Sequence, residues 1–379
     1  MLAEPWLIAL YLLYITIIVI VFSSNSFSFL DNGIYNRNKS IDGLRFFLAI
    51  GVAFHHSIVL YSAFHSPTFD FVTQGYPILW RVGRYAVAAF FMVSAYLFAD
   101  RIEINRRALQ RFWVGRFFRI LPGAYFSVFL CFSAAALSGY HSEPVKTLSH
   151  LGTWKDALLA PFIAYQGNLS FLLAPSVGVL WTLAFEWGLY LALPLVTVLR
   201  DKVGKLAVSI VAILVCVGLM QNELHDNYRF ILCFALGIFA KDLRDSINIK
   251  TIYKDLMLVI CISYMFFSKN DPISTLNLSV EFFAFLLIVT GTSLSRILGC
   301  KGVVRLGEIS YSIYLAHGPI LFLLTYLVST KIRNKYLYDL MILPTLLSIC
   351  VFSAVIYHVI ERPGISFGKR FFPKRSGAR

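Results

Sequence analysis

Apolar runs long enough, or nearly long enough, to cross a bilayer recur along this chain, and they limit its fold more than any other feature. They fall at about residues 6–23, 42–64, 81–99, 117–139, 178–199, 206–221, 227–240, 256–268, 277–295, 307–328 and 339–360. A helix needs about 20 mostly apolar residues to span the hydrocarbon. Inside it, every backbone polar group must be satisfied within the protein, which leaves helices or closed barrels. Runs of this length predict helices. The composition agrees: 58% of the 379 residues are apolar and 14% charged, against about 25% charged in a soluble domain. Mean hydropathy is +0.71.

Loop charge predicts an orientation. The loop 100–116 carries Arg101, Arg106, Arg107, Arg111 and Arg116, and short basic loops stay in the cytoplasm. Alternation then puts Arg200, Lys202 and Lys205 inside, with Lys241, Arg244, Lys250 and Lys254, then Arg296, Lys301 and Arg305, and the tail Lys369, Arg370, Lys374, Arg375 and Arg379. The loops 221–227 and 268–277 are poor in basic residues. Lys331, Arg333 and Lys335 dissent, because they fall outside. The expectation is an all-α integral membrane protein of about eleven transmembrane helices, a ten-helix core plus one extra N-terminal helix, N-out and C-in. Residues 1–35 form the extra anchor, 36–365 the membrane domain and 366–379 a basic cytoplasmic tail. Glu4 and the lack of early Lys or Arg argue against a cleaved signal peptide. The segment 156–174, broken by Pro161 and Gly167 and followed by Pro175, reads as re-entrant or interfacial.

The net charge of +14 follows from these basic loops, so no nucleic-acid partner is expected. The six cysteines, Cys131, Cys216, Cys233, Cys261, Cys300 and Cys350, form no CxxC pair, so neither a zinc site nor a disulfide framework is indicated.

Ionisable residues within spans are costly and mark functional sites by default. Three stand out, His56, Glu186 and His317, and Arg45 joins them near an inner helix end. Arg45 and His56 are eleven residues apart, which returns to one helix face about 16 Å along the axis. His56 and Glu186 each lie eight residues from an outer helix end, about 12 Å deep. A shared depth lets them converge; each could also be a separately satisfied helix contact. Two histidines and a carboxylate also suit a metal, but no i, i+4 ligand pair occurs, and no metal is expected. Arg116 and Arg119 are i, i+3 neighbours that join Arg45 at the inner face. Guanidinium groups suit phosphate; they also serve as inside anchors.

The same residues resemble the acyltransferase-3 family of membrane O-acyltransferases, of the O-antigen and exopolysaccharide O-acetylase type. The resemblance rests on IDGLRFFLAIGVAFHH (41–56), GRYAVAAFFMVSAYLF (83–98), RFFRILP (116–122), LWTLAFEWGLYLALPL (180–195), GEISYSIYLAHGPI (307–320) and ERP (361–363), in order along most of the chain. Ala95 stands where the family usually has Gly, and Ala316 and Gly318 where Trp is common. The chain ends soon after its last span, so a fused soluble esterase-like domain is not expected.

The resemblance implies transfer of an acyl group, usually acetyl, from cytoplasmic acetyl-CoA or another acyl-CoA. The acceptor would be a hydroxyl of an envelope or exported glycan, such as a lipopolysaccharide, with or without a polyprenyl link and met at the membrane. It implies His56 as general base or acyl relay, with Glu186 orienting it or contacting the acceptor. It gives Arg45, Arg116 and Arg119 the CoA phosphates, and Ser310, Tyr311, Tyr314, His317 and Tyr190 the cavity. No permanently bound cofactor is implied. A bacterial inner membrane is the expected location. A transporter or flippase, a polyprenyl-dependent glycosyltransferase and a scaffold are the alternative classes.

Overall fold

A computed structural model of the chain describes residues 3–31, 38–65, 77–139, 151–162, 173–220, 227–331 and 335–372. Among them all regular structure is helical. The long helices are α1 (Ala3–Ser23), α2 (Lys39–His65), α3 (Pro77–Phe98) and α4 (Arg106–Ser138). Two short helices follow, α5 (Leu151–Leu159) and α6 (Leu173–Ser176). Then come α7 (Trp181–Val203), α8 (Lys205–Met220), α9 (Asn227–Leu243), α10 (Thr251–Phe267) and α11 (Thr275–Val289). After the short α12 (Leu294–Leu298) and α13 (Lys301–Glu308), α14 (Ser310–Lys331) and α15 (Lys335–Ile356) close the bundle. A π turn (Tyr357–Glu361) leads into α16 (Arg362–Arg370).

Each of the eleven expected spans meets a helix, but among the described residues seven are long and apolar enough to cross a membrane: α1, α2, α3, α4, α7, α14 and the stretch Tyr336–Arg370. The other four, α8 to α11, have 15 to 17 residues. At 1.5 Å per residue they reach about 23–26 Å, short of a hydrocarbon core of about 30 Å. Within 307–328 the helix breaks at Ile309, where α13 ends and α14 begins. The first part of segment 156–174 lies in α5 and the turn after it; residues 163–172 lie outside the described residues, as do 221–226, 332–334 (with Arg333) and 373–379 (with Lys374, Arg375 and Arg379).

Two boundaries follow from local chemistry. Asn105 caps α4 by accepting from the Ala108 amide at 2.8 Å, satisfying one of the first-turn donors. Gly139 closes it in the left-handed region at φ 63°, as a residue without Cβ does readily. Proline interrupts α4, α7, α14 and α15 internally, which neighbouring helices make tolerable in a membrane bundle.

The core sits around α2 and α3. Phe46, Ala53, Phe54, Ala88 and Met92 are fully buried there. Glycine sets the closest approaches, as small residues do between membrane helices. A Cβ on Gly237 of α9 would lie 2.2 Å from the Met92 carbonyl oxygen of α3. One on Gly83 would lie 2.4 Å from the His55 ring. The N-terminal helix is tied in by Arg305, which is fully buried. It donates to both carboxylate oxygens of Asp31 at 2.7 Å and to the carbonyls of Phe22 and Ser24.

Candidate active site

Two cavities lie end to end along α2 and α3. The first, of about 360 Å³, is lined by Asp42 and Arg45 of α2, Ser94 and Phe98 of α3, Arg101 in the loop after it, Arg116 and Arg119 of α4, Glu186 and Tyr190 of α7, and Ser310, Tyr311 and Tyr314 of α14. Arg116 lies over the Phe98 ring at 4.7 Å and the Tyr190 ring at 5.8 Å, a cation–π arrangement that holds the guanidinium at the cavity wall. Arg119 pairs with Glu361 at 3.5 Å, and Arg45 lies 3.9 Å from Asp42. Glu186 accepts a hydrogen bond from Tyr190 Oη. Ser310 Oγ is buried and meets no hydrogen-bond partner among the described residues.

The second cavity, of about 280 Å³, is lined by Val52, His55 and His56 of α2, Gly83, Arg84 and Val87 of α3, Val177, Val179 and Trp181, with Phe230, Ile273 and Tyr314. His56 Nδ1 lies 2.9 Å from His317 Nε2, and His317 Nδ1 lies 3.2 Å from the Ile313 carbonyl oxygen. The hydrogen-bond pattern assigns the protons. A carbonyl only accepts, so His317 Nδ1 carries the hydrogen; in the neutral ring Nε2 then accepts. His56 Nδ1 must donate to it, which leaves the His56 Nε2 lone pair unprotonated. His55 points elsewhere, its Nδ1 3.1 Å from the Leu79 carbonyl oxygen.

Val87 and Tyr314 line both cavities. The Tyr314 hydroxyl is within 3.1 Å of Thr182 Oγ1 and donates to the Val179 carbonyl at 3.4 Å. Its ring meets Phe90 and His317 edge-on, at 5.8 Å in both cases. The anchored Tyr314 and Val87 are thus the described residues that face both cavities.

The sequence candidates thus fall into two groups. Arg45, Arg116, Arg119, Glu186, Tyr190, Ser310, Tyr311 and Tyr314 line one cavity. His56 and His317 form the pair at the other. Glu186 and His56 line different cavities despite the depth argued from the loops, and the ring that touches His56 is His317. Three residues went unnoticed. Glu361 of the ERP motif is fully buried, accepts from Ser312 Oγ at 2.9 Å and answers Arg119; it lies one residue past the expected span 339–360. Glu281, 3% exposed in α11, meets the intramembrane-charge criterion that singled out Glu186. Arg84 was masked by its place near the end of a span. Gly318, where the resemblance implies bulk, packs on α6: a Cβ there would sit 2.8 Å from the Ser176 carbonyl oxygen.

An apolar helical bundle with several bilayer-length helices, holding paired imidazoles and an arginine-lined cavity, is a multi-pass integral membrane protein with the groups of an enzyme. The chain belongs to the acyltransferase-3 family: the family's model, described as an acyltransferase domain, matches residues 38–359. It is similar to the Bacillus subtilis protein named "Putative peptidoglycan O-acetyltransferase YrhL", with 23% identity over 88% of this chain and 56% of that protein. It is also similar to "Putative acetyltransferase ORF330" of Acidianus two-tailed virus, with 25% identity over 74% of this chain and 83% of that protein. The chain thus spans little more than half the length of the Bacillus relative. No solved structure matches it.

Proposed function

We propose that this protein moves an acetyl group from cytoplasmic acetyl-CoA to a hydroxyl of an envelope glycan. One observation carries the reading: an arginine-lined cavity and a histidine cavity share a single wall at Val87 and Tyr314. An anionic donor suits the first and a proton acceptor the second. Arg45, Arg116 and Arg119 hold the CoA phosphates by charge-assisted hydrogen bonds. The thioester points toward Tyr314. His56 Nε2 takes the proton of the acceptor hydroxyl, whose oxygen attacks the thioester carbonyl. The tetrahedral intermediate collapses, the C–S bond breaks, and the CoA thiolate leaves and takes up the proton from His56. Glu186 and Tyr190 position the donor.

The shared wall also favours a second route, in which His56 Nε2 attacks the thioester carbon and the C–S bond breaks to release CoA thiolate; the acceptor oxygen then attacks the acetyl-imidazole, the N–C bond breaks, and the hydroxyl proton passes to the freed Nε2 and on to the thiolate. Both routes need the donor and acceptor on opposite sides of the wall. The topology that supplies this has eleven crossings, N-out and C-in, in a bacterial inner membrane, with the arginine cavity opening to the cytoplasm. The acceptor is an exported glycan, lipid-linked or polymeric; peptidoglycan, named for the Bacillus relative, is one such glycan. The test is reconstitution with radiolabelled acetyl-CoA: label moving to glycan in wild type and not in His56→Ala supports the reading. Equal label with both proteins removes it.

A further inference from the structure

The histidine cavity carries a charged group that acetyl transfer from CoA does not require. Arg84 lines it, one turn of α3 beyond Val87. Its guanidinium sits 4.6 Å over the Trp80 ring, held in place yet about one-third exposed. Its carboxylate partner among the described residues is Asp271, at 3.6 Å. Asp271 also accepts a hydrogen bond from Arg229 at 3.0 Å. One carboxylate answers two guanidinium groups, and the closer of the two is Arg229. Among the described residues, no acidic side chain lines the cavity itself. Its wall carries Trp181 and Phe230, with ring centroids 4.8 Å apart, apolar faces of the kind on which the C–H face of a sugar ring packs.

A cation that shares its carboxylate with a second guanidinium, beside an aromatic wall and in the same cavity as a proton acceptor, selects more than a hydroxyl. We propose that the cavity takes an acceptor saccharide bearing an anionic group, a carboxylate or a phosphate, near the hydroxyl to be acylated, and that Arg84 is the residue that reads this group. The inference rests on the reading of His56 as the group that acts on the acceptor. A guanidinium binds a carboxylate or phosphate through two parallel N–H donors. Trp80 contacts that of Arg84 through the ring, which offers no hydrogen-bond acceptor oxygen to compete for those donors. A site that hydrogen-bonds a substrate group discriminates strongly against the analogue lacking it.

The test is binding to the full-length protein in nanodiscs by calorimetry, without acetyl-CoA. Two matched pairs of probes are used. Trigalacturonate and its methyl ester place the anion in the glycan; N-acetylglucosamine on farnesyl diphosphate and on neutral farnesol place it in the carrier. Wild type binds one charged probe at least about tenfold tighter than its neutral partner, consistent with the ~1.4 kcal/mol that a factor of ten represents. The pair showing the gap identifies which source bears the anion. Arg84→Gln closes that gap, and Arg84→Lys closes it in part. Asp271→Asn removes the competing carboxylate and tightens the charged probe by about threefold, whereas a purely structural Arg84–Asp271 pair predicts weaker binding of both partners. Equal wild-type affinity for charged and neutral probes, or a gap that survives Arg84→Gln, overturns the proposal. Failure of the transfer reading shows separately, as absence of acetyl-CoA turnover in the same nanodiscs.

Discussion

His56 and His317, 261 residues apart in sequence, meet with Nδ1 and Nε2 2.9 Å apart and ring planes only 6° from parallel. The Ile313 carbonyl behind His317 fixes the direction of the hydrogen bonds, so His317 presents an acceptor to His56 as an orienting carboxylate does in a catalytic triad. His56→Ala is expected to lower acetyl transfer by at least about 100-fold, the lower end of general-base contributions. His317→Ala leaves His56 Nδ1 without its acceptor; kcat falls by roughly tenfold or more while KM for acetyl-CoA stays within twofold. His317→Gln, whose amide oxygen accepts, restores part of the loss. Steady-state kinetics on purified protein reads all three, and an unchanged kcat in His317→Ala rules out the orienting role.

Arg116 and Arg119 look equivalent in sequence and are not equivalent in the fold. Arg119 answers the buried Glu361, whereas Arg116 rests on the Phe98 and Tyr190 rings and lines the cavity. Arg116→Ala is therefore expected to raise KM for acetyl-CoA by about tenfold or more with little loss of thermal stability. Arg119→Ala leaves the buried Glu361 without its ion-pair partner and with the Ser312 hydrogen bond, and breaking a buried pair costs about 3–5 kcal/mol. That variant should melt well below wild type, and the double variant with Glu361→Gln should recover much of the difference. Melting curves in detergent decide it; matching losses in the two single variants contradict the distinction.

The Tyr314 septum makes a prediction about leakage. Tyr314→Phe keeps the ring that separates the cavities and gives up the hydroxyl contacts to Thr182 and Val179. Tyr314→Ala opens one cavity into the other. On the proposed mechanism, the open wall admits water to the thioester, so CoA release outruns acetyl transfer several-fold, while Tyr314→Phe stays nearly coupled. The ratio of released CoA to acetylated glycan is the measurement. A ratio near one in Tyr314→Ala would mean that the wall excludes nothing.

The membrane helices were legible because a bilayer imposes length and apolarity directly on the sequence. The same rule explains the shortfall: α8 to α11 end after 15 to 17 residues, where loop residues of moderate apolarity blur the boundary. His56, His317 and the arginines were legible because charge inside a span is conspicuous. What periodicity does not carry is the partner across the bundle. Helix phase places Arg45 and His56 on one face, and says nothing of which residue from α14 or α7 meets it; His317 does, and Glu186 turns to Tyr190 instead. The Arg119–Glu361 and Arg305–Asp31 pairs join residues 242 and 274 positions apart, and only tertiary packing shows them.

The Arg305–Asp31 pair lies outside the hydrocarbon spans and gives a pH-dependent prediction. Hydrogen bonds from the Arg305 guanidinium hold the Asp31 carboxyl below its usual range near 3.8. A carboxyl depressed in the folded state binds its proton less readily folded than unfolded. Its contribution to stability is therefore complete above about pH 4 and drains away as pH falls through the lower folded value. Arg305 is fully buried and also holds the Phe22 and Ser24 carbonyls, so losing Asp31 leaves a buried cation with backbone partners alone. Asp31 is itself about one-third exposed, which puts the expected cost of Asp31→Asn near the lower end of the buried-pair range, about 3 kcal/mol. The variant should unfold earlier in denaturant at pH 7, and its deficit relative to wild type should shrink as pH falls below 4. A deficit that stays constant across that window would show that the pair's charge contributes nothing to holding α1 against the bundle.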